Sequence, residues 1–308
     1  RVDSHSSGEE YATSVKVSDS AFPTTKFSKT TVNPRIAIKY EVTPSLVLRA
    51  NIGTGFRAPY GFSEDLHLCS GSPRVWKSSN LKGERAISYN LSADYYAKKY
   101  QFSINIFRTN LKDKIQFSPA DDEVKKFGYS YQWENVDDAY VQGVELGAKA
   151  NLFRNFNAGI NWTFNQGKFK HERADWSDPN DETVKEFPQR LQYAKDSRNI
   201  SRFPAMTGDI DLDYTPGTWT FSLTSSLQGR MFIDYNSEDD GVTSKIKKTN
   251  TFMIFNCRAA KRFGTCTVYA GAKNIFSYIQ DEKHTDDAAF MYAPVYGATW
   301  YVGLSVKL

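Results

Sequence analysis

The side chains best suited to ligate a metal or to act as nucleophile or base are four histidines and three cysteines, and they are scattered. His5, His67, His171 and His284 fall in four separate polar stretches, each expected to be a loop. No nucleophile elbow, phosphate-cradling glycine loop or His-Glu metal motif accompanies them, so the sequence gives catalysis no support. Cys69, Cys257 and Cys266 lack the paired short spacings of a zinc site. Binding chemistry is denser. The stretch 58–84 gathers Tyr60, Phe62, His67, Cys69, Arg74 and Trp76, and Tyr129, Tyr131 and Trp133 follow further on. Another polar stretch holds His171, Trp176 and Tyr193. Rigid aromatic faces give contact area at low entropic cost, and His or Cys among them can ligate a transition metal. Asp234, Asn236 and Glu238 precede Gly241, an alternation of oxygen ligands that resembles a calcium loop but lacks its closing bidentate Glu. Ordinary solvated loop tips look the same, so both readings stay open for this stretch.

The elements that must carry these residues are strands. Aromatic residues make up 15% of the chain, which favours pleated surfaces. From Asn33 onward, segments of roughly ten residues alternate apolar and polar side chains, the period of a strand with two unlike faces. Over Arg85–Ala97 the apolar set is Ile87, Tyr89, Leu91, Ala93 and Tyr95, against Ser88, Asn90, Ser92 and Asp94. The split recurs over Arg154–Asn165 and again at Trp300, Val302, Leu304 and Val306. Further strands are expected at Pro34–Glu41, Ser45–Arg57, Tyr100–Phe117, Tyr129–Ala150, Phe203–Tyr214, Thr218–Ile233, Thr251–Ala260 and Thr265–Phe276. With the terminal strand that makes eleven.

Connection lengths alternate as well. Short links are expected at Val42–Pro44, Lys98–Lys99, Asn151–Phe153, Thr215–Gly217 and Lys261–Gly264. Long ones fall at about residues 4–33, 58–84, 118–128, 166–202, 234–250 and 277–293. Within 4–33, residues 10–17 could supply a twelfth strand, though the opening Arg1–His5 reads better as the tip of one. Short turns at one end and long loops at the other belong to outer-membrane barrels. The mean hydropathy of -0.55 and the absence of any run of 18 or more apolar residues exclude a spanning helix but not a barrel, which needs only every second strand residue apolar. Aromatics near both ends of the apolar parity (Tyr40, Tyr95, Tyr214 and Trp219; Phe56, Phe164 and Tyr296) would form the two interfacial girdles. A soluble β-sandwich binding module would instead turn the same apolar parity into a shared core. Basic and acidic residues, 39 and 35, are spread evenly and point to no nucleic acid.

Several stretches resemble the C-terminal barrel of TonB-dependent receptors. They are Asn33-Pro34-Arg35-Ile36-Ala37, Gly53-Thr54-Gly55-Phe56-Arg57-Ala58-Pro59, Asn80-Leu81-Lys82-Gly83-Glu84, Asn135-Val136 through Gly143-Val144-Glu145, and the final Tyr301-Val302-Gly303-Leu304. Where the family commonly has Pro in the third of these, Gly83 stands here. The resemblance implies about eleven strands of a 22-stranded transmembrane antiparallel β-barrel in the bacterial outer membrane, with the first half of the wall and the plug outside this chain. It implies import of a scarce ligand, most readily a metal chelate such as haem, cobalamin or a siderophore, energised by the TonB complex through an N-terminal region. Lipopolysaccharide, other outer-membrane lipids and a surface lipoprotein are the further partners expected. The alternative is a complete small barrel of twelve strands acting as a passive pore or adhesin, recognisable by pairing of its last strand with one near its start.

No cofactor is required on this reading; haem or another metal chelate is a candidate as the transported ligand, and calcium a candidate for the acidic loops. Haem-importing members of the family place a functional His between the two motifs that flank His67, which makes His67 a candidate axial ligand beside the commoner reading of a solvated loop histidine. Arg57 faces inward near the mouth, where it would pair with a carboxylate on a neighbouring strand or meet an anionic ligand. The site is expected where the 58–84 and 118–128 loops converge, bringing His67, Arg74 and Trp76 near Tyr129, Tyr131 and Trp133. Cys257 and Cys266 share the outward parity on successive strands, and their indices would set them opposite each other.

Overall fold

The computed structural model describes residues 2–7, 25–59, 75–77, 81–119, 122–126, 131–171, 198–200, 202–233, 247–280 and 292–307. The strands are β1 Val2–Ser7, β2 Thr25–Thr30, β3 Arg35–Thr43, β4 Leu46–Arg57, β5 Val75–Lys77, β6 Glu84–Tyr96, β7 Tyr100–Pro119, β8 Tyr131–Phe153 and β9 Phe156–Phe169. They continue with β10 Met206–Tyr214, β11 Trp219–Gln228, β12 Phe232–Ile233, β13 Lys247–Lys248, β14 Phe252–Phe263, β15 Cys266–Lys273 and β16 Thr299–Val306. One helical turn, α1 Asp122–Lys125, interrupts them.

Eleven of these strands pair antiparallel in the order β3-β4-β6-β7-β8-β9-β10-β11-β14-β15-β16, each beside its expected neighbour. Their alternation sorts side chains by face. In the middle of the sheet Leu91 is 57% exposed and Ile106 51%, too much apolar surface on one continuous face for water. The other face is a ladder of polar contacts between strands. Ser88 and Thr109 hydroxyls meet at 2.9 Å, Asn90 Nδ2 donates to Asn51 Oδ1 at 3.0 Å, and Asn105 Nδ2 donates to Glu145 Oε2 at 2.8 Å. Further round, Asn161 Nδ2 donates to Asp209 Oδ2 at 2.7 Å and Ser222 Oγ to Asp213 Oδ1 at 2.5 Å. A single sheet with an apolar outside and a polar inside is a barrel wall, so the two-sheet sandwich is not formed.

Aromatic rings crowd the short-turn end of the apolar face. Phe153 stacks on Phe156 at 4.7 Å and Trp219 on Phe221 at 5.6 Å, while Lys261 lays its ammonium over Trp219 at 4.8 Å. Rings with a snorkelling lysine mark a headgroup boundary. Among the described residues the sheet is open: β3 and β16 are its two edges and do not pair, contrary to the complete small barrel.

Four local expectations need correction. β8 and β9 are joined at Arg154-Asn155, not at 151–153: Phe153 pairs with Phe156, and Asn155, a residue type that tolerates the left-handed region, sits there at φ 66°. β11 stops at Gln228, and Phe232–Ile233 pairs separately with Lys247–Lys248. The 4–33 stretch is not all loop, since β1 and β2 form a hairpin outside the main sheet, with His5 in a strand opposite Phe27; residues 10–17 lie outside the described ones. Cys257 sits opposite Ala272, and Cys266 opposite Phe263, so the register separates the cysteines although both keep the outward parity.

Candidate functional site at the outer mouth

Long connections all leave the same end of the sheet, and there β7 and β8, of 20 and 23 residues, rise beyond their neighbours. β9 stops pairing with β8 at Ala139, which leaves the edge of β8 open above that point. β5 fills part of it. It runs parallel to β8, with Val75 opposite Tyr131, Trp76 opposite Gln132 and Lys77 opposite Trp133. The chain after the Phe56-Arg57-Ala58-Pro59 motif therefore folds back onto the strand that carries Tyr131 and Trp133.

Two of the sequence motifs hold this corner together. Asn135 Oδ1 accepts the Lys82 N–H at 2.7 Å, and Asn135 Nδ2 donates to the carbonyls of Lys82 at 3.0 Å and Asp113 at 2.8 Å. Leu81 is buried against Ile115, and Trp133 packs on both. Gly83 lies against the Phe56 ring, which a Cβ would strike; the pyrrolidine usual in the family would collide with it. Glu84 Oε2 accepts the Ile115 N–H at 3.0 Å and lies 4.0 Å from Arg57 Nη1. Arg57 thus has a neighbouring carboxylate, one of the two roles expected for it.

β7 carries a bulge here, with Asp113 in the left-handed region at φ 54°. The Asp113 N–H donates to Asp138 Oδ1 at 3.1 Å. Next to it, Asp137 accepts the His171 N–H at 2.7 Å on one oxygen and meets His171 Nδ1 at 3.1 Å on the other. Partial burial works against the Asp137 carboxylate, but hydrogen bonds from the His171 backbone and ring and from the Asp138 N–H outweigh it, holding the carboxyl below its ordinary value.

Of the expected site residues, Arg57 and Trp133 are placed as above, and Trp76 and Tyr131 are placed by their backbones on adjoining strands. Tyr60, His67, Arg74, Tyr129 and Trp176 lie outside the described residues, as do Asp234, Asn236 and Glu238. Among the described residues no group of three or more His, Cys, Asp or Glu is arranged to hold a metal. Sequence reasoning missed Asn135 as a clamp, although it opens one of the motifs that carried the resemblance.

The same ordering of motifs along a one-ended, polar-lined wall defines a known family. The family model described as TonB dependent receptor-like, beta-barrel matches residues 1–275. The chain belongs to this family. Its β-barrel wall stands in the bacterial outer membrane. Among curated relatives, the vitamin B12 transporter BtuB of Photobacterium profundum is 33% identical over 116 residues, 37% of this chain and 17% of the relative. The ferric enterobactin receptor of Pseudomonas aeruginosa is 27% identical over 151 residues, 43% of this chain and 20% of the relative. Among solved structures, the copper transporter OprC superposes with a TM-score of 0.63 at 20% identity, over 92% of this chain and 40% of that one, a likeness of fold. The chain therefore spans about a fifth of the curated relatives it matches.

Proposed function

We propose that this chain is wall and outer mouth of a receptor that imports a metal chelate such as haem, cobalamin or a siderophore, energised by the TonB complex through a segment outside residues 1–308. The mechanism needs no covalent chemistry: the outer loops capture the ligand, and a plug moved by TonB releases it inward. The observation that carries this reading is the fold-back of β5 onto β8. It sets the backbones of Trp76, Tyr131 and Trp133 together at the loop end of a polar-lined wall. Aromatic residues whose backbones meet at one mouth suit a large planar or ring-bearing ligand better than a small ion. The relatives' names, a cobalamin transporter and a ferric siderophore receptor, support the same ligand class.

Within this reading His67 is the axial ligand if the cargo is haem, with Arg74 and Trp76 beside it. The test is growth of a strain whose only uptake route is the full-length receptor, supplied in turn with haem, cobalamin or a ferric siderophore. Growth on one of the three names the cargo, and growth on none defeats the proposal. Should haem be the cargo, His67→Ala lowers haem affinity strongly if the imidazole binds iron. If binding is unchanged, recognition rests on stacking.

A further inference from the structure

We propose that a recess on the inner side of the outer mouth, between β11, β14 and the last long connection, binds an uncharged, hydroxyl-bearing ring of the sugar class. The outward apolar residues of the wall form the membrane band, but apolar residues on the inward parity need another reason. Phe252 and Ile254, at the loop end of β14, are inward: the register sets them beside Gln228 and Ser226 of β11, and those beside Thr207 and Asp209 of β10. Lower on the same face β14 turns polar, with Asn256 and Arg258. The apolar pair is therefore confined to the mouth, where the connection 274–298 folds over it. Phe252 stacks on Tyr278 at 4.8 Å between ring centroids and meets Tyr292 at 6.2 Å.

Two buried amide side chains fix that connection. Gln280, only 1% exposed, accepts the Tyr292 and Ala293 N–H groups on Oε1 at 2.8 and 3.0 Å, and its own backbone N–H donates to the Pro294 carbonyl at 2.8 Å. Asn274 Nδ2 donates to the carbonyls of Tyr278 at 2.7 Å and Tyr296 at 3.2 Å, and Asn274 Oδ1 accepts the Tyr278 N–H at 2.9 Å. The Asn274 backbone N–H donates in turn to Asn256 Oδ1 on β14 at 3.0 Å. Buried amides are costly unless satisfied, so this network holds Tyr278 and Tyr292 in one arrangement against the wall. Rings positioned before a ligand arrives spare the entropy of ordering them.

What stays uncovered is a recess of about 410 Å³, towards the lower end of the range for small-molecule pockets. Phe252, Ile254, Tyr292 and Pro294 supply its apolar walls, and Ser226 and Gln228 its polar side chains. No residue lining it is charged, in a chain where 24% are. Gln228 Nε2 is turned to the Tyr292 carbonyl at 3.4 Å and the Met231 sulfur at 3.7 Å, while its Oε1 and the exposed Ser226 hydroxyl have no partner among the described residues. Aromatic faces that accept C–H groups, beside an unused amide oxygen and an unused hydroxyl, match a neutral polyol ring. A carboxylate would lose its water there, find no cation in the lining, and meet Asp209 beside Ser226. β14 lies four strands from β8, about 19 Å along the wall at about 4.8 Å per strand, so the recess is separate from the Trp133 corner. The site needs no metal in the cargo, and failure of every chelate in the growth test would leave it standing.

The test uses the full-length receptor in detergent, with binding of methyl α-glucoside and of glucuronate followed by saturation-transfer NMR. The wild type is expected to bind the glucoside, and glucuronate at least about tenfold more weakly. Tyr292→Leu should weaken the glucoside about tenfold, and Tyr292→Phe much less, which separates loss of the ring from misfolding. Ser226→Trp, which fills the recess from an exposed position, should abolish binding. A ferric catecholate siderophore with and without glucosyl groups, run beside a linear gluco-oligosaccharide, identifies the source of the ring: Ser226→Trp should weaken only the glucosylated form of the chelate, or the oligosaccharide. The proposal is overturned if the wild type binds no glucoside, if glucuronate binds as well as the glucoside, or if Tyr292→Leu and Ser226→Trp both bind like wild type.

Discussion

Below the row of Ile106, Val144 and Phe164, the wall is repetitive: outward residues are apolar, inward residues polar, and each strand pairs with its sequence neighbour. Above that row the pattern stops being periodic and becomes specific. A bulge at Asp113, a parallel strand β5, a clamp by Asn135 and a small core of Leu81, Ile115 and Trp133 replace it. The lower region is shaped by its solvent, because lipid accepts any apolar outward side chain and nothing polar. The upper region stands above the hydrocarbon, where no apolar solvent enforces alternation, so side-chain contacts must hold it, and its residues are correspondingly individual. A receptor can then vary its mouth while keeping its wall.

The largest effect expected from this contrast is a charge placed in the band. Leu91→Arg puts a guanidinium on the outward face midway along β6, and should cost about 2–4 kcal/mol in the unfolding free energy of the full-length receptor in vesicles. Asn90→Arg, one residue away on the inward parity, should stay within about 1 kcal/mol. Denaturant titrations in lipid vesicles measure both. Equal costs would mean that the two faces do not meet different solvents.

Next is the clamp. Asn135→Ala removes three hydrogen bonds that tie Lys82 and the Asp113 bulge to β8. At about 1 kcal/mol each, less what water returns, the corner should open more easily by about 2 kcal/mol. Hydrogen exchange of the Lys82 amide should accelerate roughly thirtyfold, while exchange in the lower part of β6 and β7 stays unchanged. Acceleration throughout both strands would show that the mouth and the band unfold as one unit.

Smaller still is the Arg57–Glu84 pair, at 4.0 Å with Arg57 about half exposed. Arg57→Gln should change stability by less than about 1 kcal/mol. Glu84→Ala should cost more, because Glu84 also accepts the buried Ile115 N–H. If Arg57→Gln leaves stability intact but weakens uptake of an anionic chelate, Arg57 has the ligand-facing role as well.

The same division explains what was legible in the sequence. In the band the alternation alone placed all eleven strands and the facing of Ile87, Ile160 and Trp300, since period and solvent are both periodic constraints. Turn position was less legible: the stretch from Asn151 to Asn155 offers Asn at either end, and only backbone closure selects the second. For the cysteines, an error in where the β14–β15 turn is centred shifts every cross-strand partner, which is why Cys257 met Ala272. At the mouth, β5 is a three-residue strand with no period to read, and its pairing with Tyr131–Trp133 is a long-range contact that local pattern does not encode. Loop order around the wall puts the two stretches on one side of the mouth but does not give this pairing of Val75–Lys77 with Tyr131–Trp133.

The smallest expected effect is the pH response of the corner where β9 ends, outside the membrane band. Asp137 accepts the His171 N–H at 2.7 Å, and its carboxyl titrates below the ordinary value because those hydrogen bonds outweigh partial burial. A carboxyl lowered on folding stabilises the folded form above its unfolded value of about 3.9, and that contribution is lost as pH falls through the lower folded value. From pH 8 to 5 the Asp137–His171 contact should therefore not respond to Asp137 at all, and below about pH 4 it should loosen. Exchange of the His171 and Lys170 amides, corrected for intrinsic rates and followed across this range, reads the loosening directly. Asp137→Asn should remove the pH dependence and leave both amides at the faster acid-side rate throughout. The contact lies at the edge of the aperiodic region and the Lys170 N–H is bonded to the Asp138 carbonyl at 2.8 Å, so a backbone ladder survives its loss. That is why the loosening should stay local: if acid released the whole of β9 at the same pH, the mouth would be holding the wall, and the two regions would not be independent.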